Sequence, residues 1–164
     1  MSSNGVPVLS DGFYVISTLD KSSFISVANN GESIVVTKNQ QLATTWYFQY
    51  APGRGGYTIC QVPSKALDLV LDIDVNQLKI GPKDQSDNQI WVVDSAKRQG
   101  TSASYYTFQP RIRASSGKAL TNDRNNVTVD HFSGVVVDNK QKWAVTLKDL
   151  FDVTTKDNED SKNS

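Results

Sequence analysis

Short runs of alternating apolar and polar residues recur along most of the chain, and turn-forming residues separate them. The runs come in a fixed order: one that begins with tyrosine, a short apolar pair, a third apolar run, and one that begins with tryptophan. This order occurs three times, at residues 14–16, 24–25, 34–36 and 46–48; 57–59, 66–67, 77–80 and 91–93; and 106–108, 119–120, 127–129 and 143–145. Alternation over so few residues predicts β-strands and no long helix.

The three copies have similar lengths, because the tyrosine and the tryptophan of each copy are 32, 34 and 37 residues apart. Recurrence at a near-constant spacing indicates a structural unit that buries its apolar face only against its neighbours. Twelve strands closed around a pseudo-threefold axis leave few open sheet edges, which predicts an all-β fold, the β-trefoil. We expect each tryptophan to be buried and its replacement by alanine to be severely destabilising.

This pattern divides the chain into three parts. Residues 1–11 are a lead-in and residues 12–147 are the trefoil, with repeats over about 12–51, 55–95 and 104–147; residues 148–164 are a polar C-terminal tail that we expect to be partly disordered. Residues 94–104 have no apolar period, which predicts a long exposed connection between the second and third repeats. We refer to the three repeat ranges as the first, second and third segments.

Charge and cysteine content narrow the class of partner. Lysine plus arginine equals aspartate plus glutamate at 17 each, so no overall charge attracts nucleic acid. The apolar runs are too short for membrane insertion. The N-terminal residues lack the features of a secretory signal and Cys60 is the single cysteine, which favours a cytoplasmic location unless a signal has been removed.

Two tripeptides before the tryptophans carry a family signature. They are Gln89-Ile-Trp91 and Gln141-Lys-Trp143, and residues 44–46 are a degenerate copy. With the tyrosine strands, they make residues 12–147 resemble the ricin-B-type β-trefoil lectins, especially the small fungal cytosolic kind. The resemblance implies a carbohydrate-binding lectin for glycans or glycoproteins, with no catalysis and a role in fungal defence. A single shallow site binds weakly, so avidity requires several sites or a homodimer.

The resemblance also implies where a sugar is held in the second segment. Asp68 matches the family's aspartate after the second strand, and Asn88 and Gln89 match the amide pair before the tryptophan. Carboxylates and amides suit vicinal hydroxyl groups, and an aromatic face stacks on the ring. The position of that platform falls near residues 80–81, which are not aromatic. Asp68 also fits a turn cap, and Gln89 fits a structural bridge between strands.

The third segment departs from the family pattern in a different way. Thr121 stands where the aspartate is expected, whereas His131 and Phe132 supply a platform and Asn139 and Gln141 an amide edge. The bridging alternative applies to Gln141 as well. The first segment has a serine at the acidic position and no glutamine before its tryptophan, so we expect no sugar site there.

Catalysis and cofactor binding have little support in the sequence. His131 and Cys60 are the only residues of their types, and the surroundings of each fit a surface histidine and a core thiol better than a catalytic pair. No cluster of ligand residues has the spacing of a metal site, and no glycine-rich phosphate loop is present. We therefore expect neither enzyme activity nor a metal or other cofactor.

A second class of function remains open. The sequence over residues 11–16 is also similar to the start of mycocypin-like fungal β-trefoil protease inhibitors. An inhibitor presents a rigid exposed loop to its protease. Lys97 and Arg98 suit a trypsin-like pocket, and Asn29 and Asn30 suit an asparagine-specific protease. A third alternative is a trefoil that binds another protein.

Overall fold

The computed structural model describes residues 7–62, 67–72, 77–82, 86–97, 104–111, 117–124, 126–133 and 136–148, without the side chains of Leu67–Asp72, Gln77 and Lys97. Apart from short 3₁₀ helices, the regular structure of this part of the chain is strand. The strands are β1 Gly12–Thr18, β2 Phe24–Val27, β3 Ile34–Thr37, β4 Trp46–Ala51, β5 Gly56–Gln61, β6 Leu67–Asp72, β7 Gln77–Pro82, β8 Trp91–Lys97, β9 Ser104–Pro110, β10 Lys118–Asp123, β11 Asn126–His131 and β12 Trp143–Leu147. The expected all-β class is confirmed.

Six strands form a closed barrel. β1 pairs with β12 and β4, β4 with β5, β5 with β8, β8 with β9, and β9 with β12, so the ring of antiparallel pairs returns to its first member. Every strand of the ring has a neighbour on both sides. Closure satisfies the backbone groups that an open sheet would leave at its edges.

The other six strands form three hairpins, β2–β3, β6–β7 and β10–β11. The hairpins also contact one another, because Asn126 of β11 pairs with Val35 of β3 and Ser33 forms a bridge with Lys79 of β7. The amide of Ile80 donates to the carbonyl of Glu32 at 2.8 Å. A closed barrel with mutually contacting hairpins is the arrangement of β-trefoil-like folds.

The core is built around the three tryptophans, each 0% exposed. Each lies opposite the tyrosine of its own segment: Trp46 pairs with Tyr14, Trp91 with Tyr57 and Trp143 with Tyr106. Between them, the rings of Phe48 and Phe108 meet edge to face with centroids 6.1 Å apart. Burial of large rings in such edge contacts is a major source of stability. The expected burial of the three indoles is confirmed.

A glycine is required at the start of β5. A β-carbon at Gly56 would lie 2.7 Å from the carbonyl oxygen of Trp91 and 2.7 Å from a side-chain carbon of Ile90. Real β-carbons do not approach backbone this closely, so any larger residue would push β5 away from β8. This close approach helps to set the position of the second tryptophan.

The end of the lead-in is bound to the barrel, which the sequence did not reveal. Leu9 is buried, its amide donates to the Tyr57 hydroxyl at 2.8 Å, and that hydroxyl donates to the Leu9 carbonyl at 2.7 Å. The Tyr14 hydroxyl donates to the Ser10 carbonyl at 2.7 Å, and the Tyr50 amide donates to Asp11 at 2.9 Å. Burial is the main cause that raises the pKa values of Tyr57 and Tyr14 above their ordinary value of 10.0.

The prediction that residues 94–104 form one long exposed connection is wrong at both ends. β8 extends to Lys97 and β9 begins at Ser104, and these strands pair through Asp94–Thr107, Ser95–Tyr106, Ala96–Tyr105 and Lys97–Ser104. Backbone pairing continues past the apolar part of β8, because ladder hydrogen bonds need no apolar alternation. Residues 98–103 and the tail from residue 149 onward lie outside the described residues.

Candidate functional site

In the third segment, Gln141 joins the 3₁₀ helix Asn139–Gln141 to the end of β11. Its side chain is 3% exposed, and its amide nitrogen donates to the carbonyls of His131 at 2.8 Å and Asp130 at 3.2 Å. The same nitrogen lies 3.1 Å from the hydroxyl of Thr121. A buried amide bonded to two backbone carbonyls fixes the ends of the loop between residues 131 and 141.

The loop ends carry the predicted platform and amide edge. His131 is exposed and Phe132 is half-buried, and the amide of Phe132 donates to the carbonyl of Gly117 at 2.8 Å. Asn139 is exposed at the start of the 3₁₀ helix, which the carboxylate of Asp138 caps by accepting from the Lys140 amide at 2.9 Å. The bond from Gln141 to the His131 carbonyl holds the 3₁₀ helix that begins at Asn139 against the end of β11.

The second segment has the same kind of glutamine but a different surface. Gln89 is 1% exposed, and its amide nitrogen donates to the carbonyl of Pro82 at 2.6 Å at the end of β7. Asn88 is half-buried and accepts from the hydroxyl of Ser86. The backbone of Asp68 pairs with Cys60 and Gly81, and its side chain lies outside the described residues. Ile80 and Gly81 are buried, so they offer no platform.

Both glutamines therefore have a structural role, whereas their contact with a sugar stays a prediction. Sequence alone left the two roles open, since a glutamine before a buried tryptophan fits either one. Burial of the side chain favours the structural role over sugar contact. The sequence cannot show this burial, because a polar residue within a short 3₁₀ helix belongs to no periodic pattern of apolar residues.

The first segment lacks this arrangement. Its 3₁₀ helix, Gln40–Leu42, ends four residues before Trp46, whereas the helices of the other two segments end two residues before their tryptophans. Thr44 accepts from the amide of Val27 at 3.0 Å, and the buried Ser26 donates to the carbonyl of Leu42 at 2.7 Å. These short side chains brace the β2 strand and not the end of β3.

Two pairs of residues were predicted to contact a protease if the protein is an inhibitor, and the structure describes three of these four residues. Asn29 and Asn30 are exposed in the turn between β2 and β3, where the Gly31 amide donates to Ala28 at 2.9 Å. The side chain of Asn30 accepts from the amides of Glu32 and Ser33, each at 2.9 Å. Asn30 is thus committed to its own turn. Lys97 is the last residue of β8, so the prediction that it lies in an exposed loop is wrong. Arg98 lies outside the described residues.

Cys60 is buried on β5, and His131 is exposed on β11. Within the part of the chain that the structure describes, no group of three or more histidine, cysteine and acidic residues is arranged to hold a metal ion. Over the same residues, no helix has the length and apolar content needed to cross a membrane.

No protein-family model matches the sequence, and no curated protein matches it as a relative. Solved structures do match in fold. A mosquitocidal holotoxin has a TM-score of 0.69 at 16% identity over 87% of this chain, which spans only 18% of the toxin. ThreeFoil, a designed 3-fold symmetric protein, has a TM-score of 0.62 at 21% identity, covering 83% of this chain and 99% of its own.

A third match is SeviL, solved in complex with the asialo-GM1 saccharide. Its TM-score is 0.63 at 13% identity, and the match covers 85% of this chain and 100% of SeviL. Identities at this level establish a shared fold and leave function to the residues of the chain itself. The fold is trefoil-like, as the tyrosine and tryptophan pattern predicts, and the Polyporus squamosus lectin is among the solved structures that share it, with a TM-score of 0.61 at 14% identity.

Proposed function

We propose that this protein is a carbohydrate-binding lectin without catalytic activity, built from three four-stranded repeats around a pseudo-threefold axis. The repeat is supported by the three tyrosine–tryptophan pairs, which join corresponding strands in each segment. The fold it shares with a saccharide-bound protein supports the ligand class. Glycans or glycoproteins are the proposed partners.

The proposed site is the third segment, at His131, Phe132 and Asn139. The observation that supports it is the buried amide of Gln141, which bonds the His131 carbonyl at 2.8 Å and so ties the backbone of His131 to the 3₁₀ helix that contains Asn139. An aromatic face packs on the C–H side of a sugar ring, while an amide and an imidazole exchange hydrogen bonds with its hydroxyl groups. Because Gln141 holds the ends of the loop at residues 131 and 141 before binding, less ordering entropy is lost there on association.

The second segment is the weaker candidate for a sugar site. Asn88 already accepts a hydrogen bond from Ser86, and neither residue at its platform position is aromatic. A ligand there would rely on Asp68 and Asn88 without ring stacking. We propose one principal site on the third segment.

A glycan array followed by titration tests this proposal. The double variant His131→Ala/Phe132→Ala should lose at least tenfold in affinity for any glycan bound, since it removes both the ring face and a hydrogen-bonding group. Asn29→Ala, an exposed residue of the first segment, is the matched control and should bind normally. Asp68→Ala tests the second segment in the same way. Full binding by the double variant would contradict the assignment of the site.

A further inference from the structure

The turn between β2 and β3 contains an exposed asparagine–glycine pair. Asn30 and Gly31 are both exposed, and Gly31 has a left-handed φ of 73°. Asparagine is a thermolabile residue, and it loses ammonia most readily before glycine, because glycine has no β-carbon to keep its nitrogen away from the asparagine side chain. The pair is therefore a candidate site of covalent modification, and this chemistry is independent of sugar binding.

The reaction at such a pair needs water and no enzyme or oxidant. The nitrogen of Gly31 bonds to Cγ of Asn30 and loses its proton, while Nδ2 of Asn30 leaves as ammonia, which closes a succinimide ring. Water then opens the ring at one of its two carbonyl carbons. Attack at Cγ leaves an ordinary aspartate, and attack at the backbone carbonyl carbon leaves an isoaspartate, in which the main chain runs through Cγ.

Four hydrogen bonds oppose the first step while the turn is closed. The Gly31 amide donates its proton to the Ala28 carbonyl at 2.9 Å, so the nitrogen that must attack is engaged. The side-chain oxygen of Asn30 accepts from the amides of Glu32 and Ser33, each at 2.9 Å. Nδ2, the nitrogen that must leave, donates to Oγ of Ser33 at 2.9 Å. We propose that Asn30 is a modification site that the closed turn protects, so that its conversion to aspartate and isoaspartate reports opening of this turn.

The isoaspartate product should disturb the contact between two hairpins. Its main chain is one carbon longer, just before Glu32 and Ser33. The Glu32 carbonyl accepts from the Ile80 amide at 2.8 Å, and Ser33 forms a bridge with Lys79 of β7. The aspartate product keeps the original backbone and a side-chain oxygen that can accept from the same two amides. Modification therefore weakens the hairpin contact in its isoaspartate form only.

Peptide mapping by mass spectrometry, after incubation at neutral pH with and without guanidinium chloride, gives the rate at Asn30 in the unfolded and folded chain. The folded rate should be lower by about thirtyfold, the factor for two ordinary hydrogen bonds. Ser33→Ala removes the partner of Nδ2 and should raise the folded rate about fivefold without changing the unfolded rate. Ser22→Ala is the matched control, because it removes a serine hydrogen bond to Asp20 in a different turn, and it should leave the rate at Asn30 unchanged.

Absence of product in the unfolded chain would overturn the site, and equal rates in the folded and unfolded chain would overturn its protection, whether or not Ser33→Ala folds. An unchanged rate in a folded Ser33→Ala variant would exclude the bond to Nδ2 as part of that protection. The isoaspartate form, separated by chromatography, should melt at a lower temperature than Asn30→Asp, which carries the same charge on an unchanged backbone. Equal melting temperatures would contradict the effect on the hairpin contact.

Discussion

The first and third segments place a tryptophan at equivalent points of the barrel but support it differently. Trp143 donates its indole N–H to the carbonyl of Leu120 at 3.0 Å. Among the described residues, the indole nitrogen of Trp46 is buried with no hydrogen-bond partner. The amide of Thr44 donates instead to Ile25, which matches Leu120 in the repeat, at 3.2 Å. The fold therefore needs the apolar area of the ring at both points and its polar group at only one.

The largest effect should be common to both segments. Trp46→Ala and Trp143→Ala each remove a fully buried ring, and each should lower the free energy of unfolding by about 3–5 kcal/mol. Urea denaturation followed by circular dichroism measures the loss. A much smaller cost at either position would show that the two tryptophans are not equivalent core residues.

Gln141 and Thr44 each stand two residues before a tryptophan, and their replacement by alanine should cost different amounts of stability. Gln141→Ala leaves the Thr121 hydroxyl and the carbonyls of Asp130 and His131 without this donor, and should cost about 1–3 kcal/mol. Thr44→Ala removes one acceptor for the Val27 amide and should cost about 1 kcal/mol. Equal costs in denaturation experiments would contradict the proposed brace. Glycan affinity should fall for Gln141→Ala only.

Replacement of each indole by phenylalanine isolates the polar contribution. Trp143→Phe leaves the Leu120 carbonyl without its indole donor, whereas Trp46→Phe removes a buried N–H that has no partner. The two variants lose similar ring area, so Trp143→Phe should be more destabilising by about 1 kcal/mol. The comparison of their unfolding midpoints gives this difference directly. The opposite order would mean that Trp46 has a partner in solution.

Unlike the substitutions above, replacement of Asn122 by an apolar residue should stabilise the protein. Its side-chain oxygen is buried without a partner among the described residues, and its cross-strand neighbour Val127 belongs to the core. The matching residue of the first segment is Val27, which packs against the core. Asn122→Val should therefore raise the free energy of unfolding by about 1 kcal/mol. Val27→Asn is the matched control and should lower it.

The smallest effect concerns the turn after β1. Hydrogen bonds from the hydroxyl of Thr18 and then from Ser22 lower the pKa of Asp20 from 3.8 to about 2. A lowered pKa means that the folded state favours the carboxylate, so its contribution is complete above pH 3.8 and is lost as the pH falls through about 2. The stability difference between the native protein and Asp20→Asn should shrink over this window. A pH-independent difference would exclude the ionised carboxylate as its source.

The strands and the tryptophan core could be predicted from the sequence, because period-two alternation and a recurring spacing report backbone geometry and burial together. The role of Leu9 could not, since one apolar residue in a polar stretch carries no period. The continuation of β8 to Lys97 could not be predicted either, since residues 94–97 show no alternation of apolar and polar residues. At the candidate site, the residue types of His131, Phe132 and Asn139 were sufficient to suggest a surface. The buried bond from Gln141 that joins them depends on three-dimensional packing.

Pairing of β1 with β12 has a consequence for how the molecule is made. The barrel is completed only when the strand at residues 143–147 reaches the strand at residues 12–18. Contacts between such distant parts of a chain form slowly, and a ribosome must release almost all of this chain before they can form. The same proximity places the two ends of the barrel's chain side by side, so joining them and opening a hairpin turn elsewhere should preserve the ring.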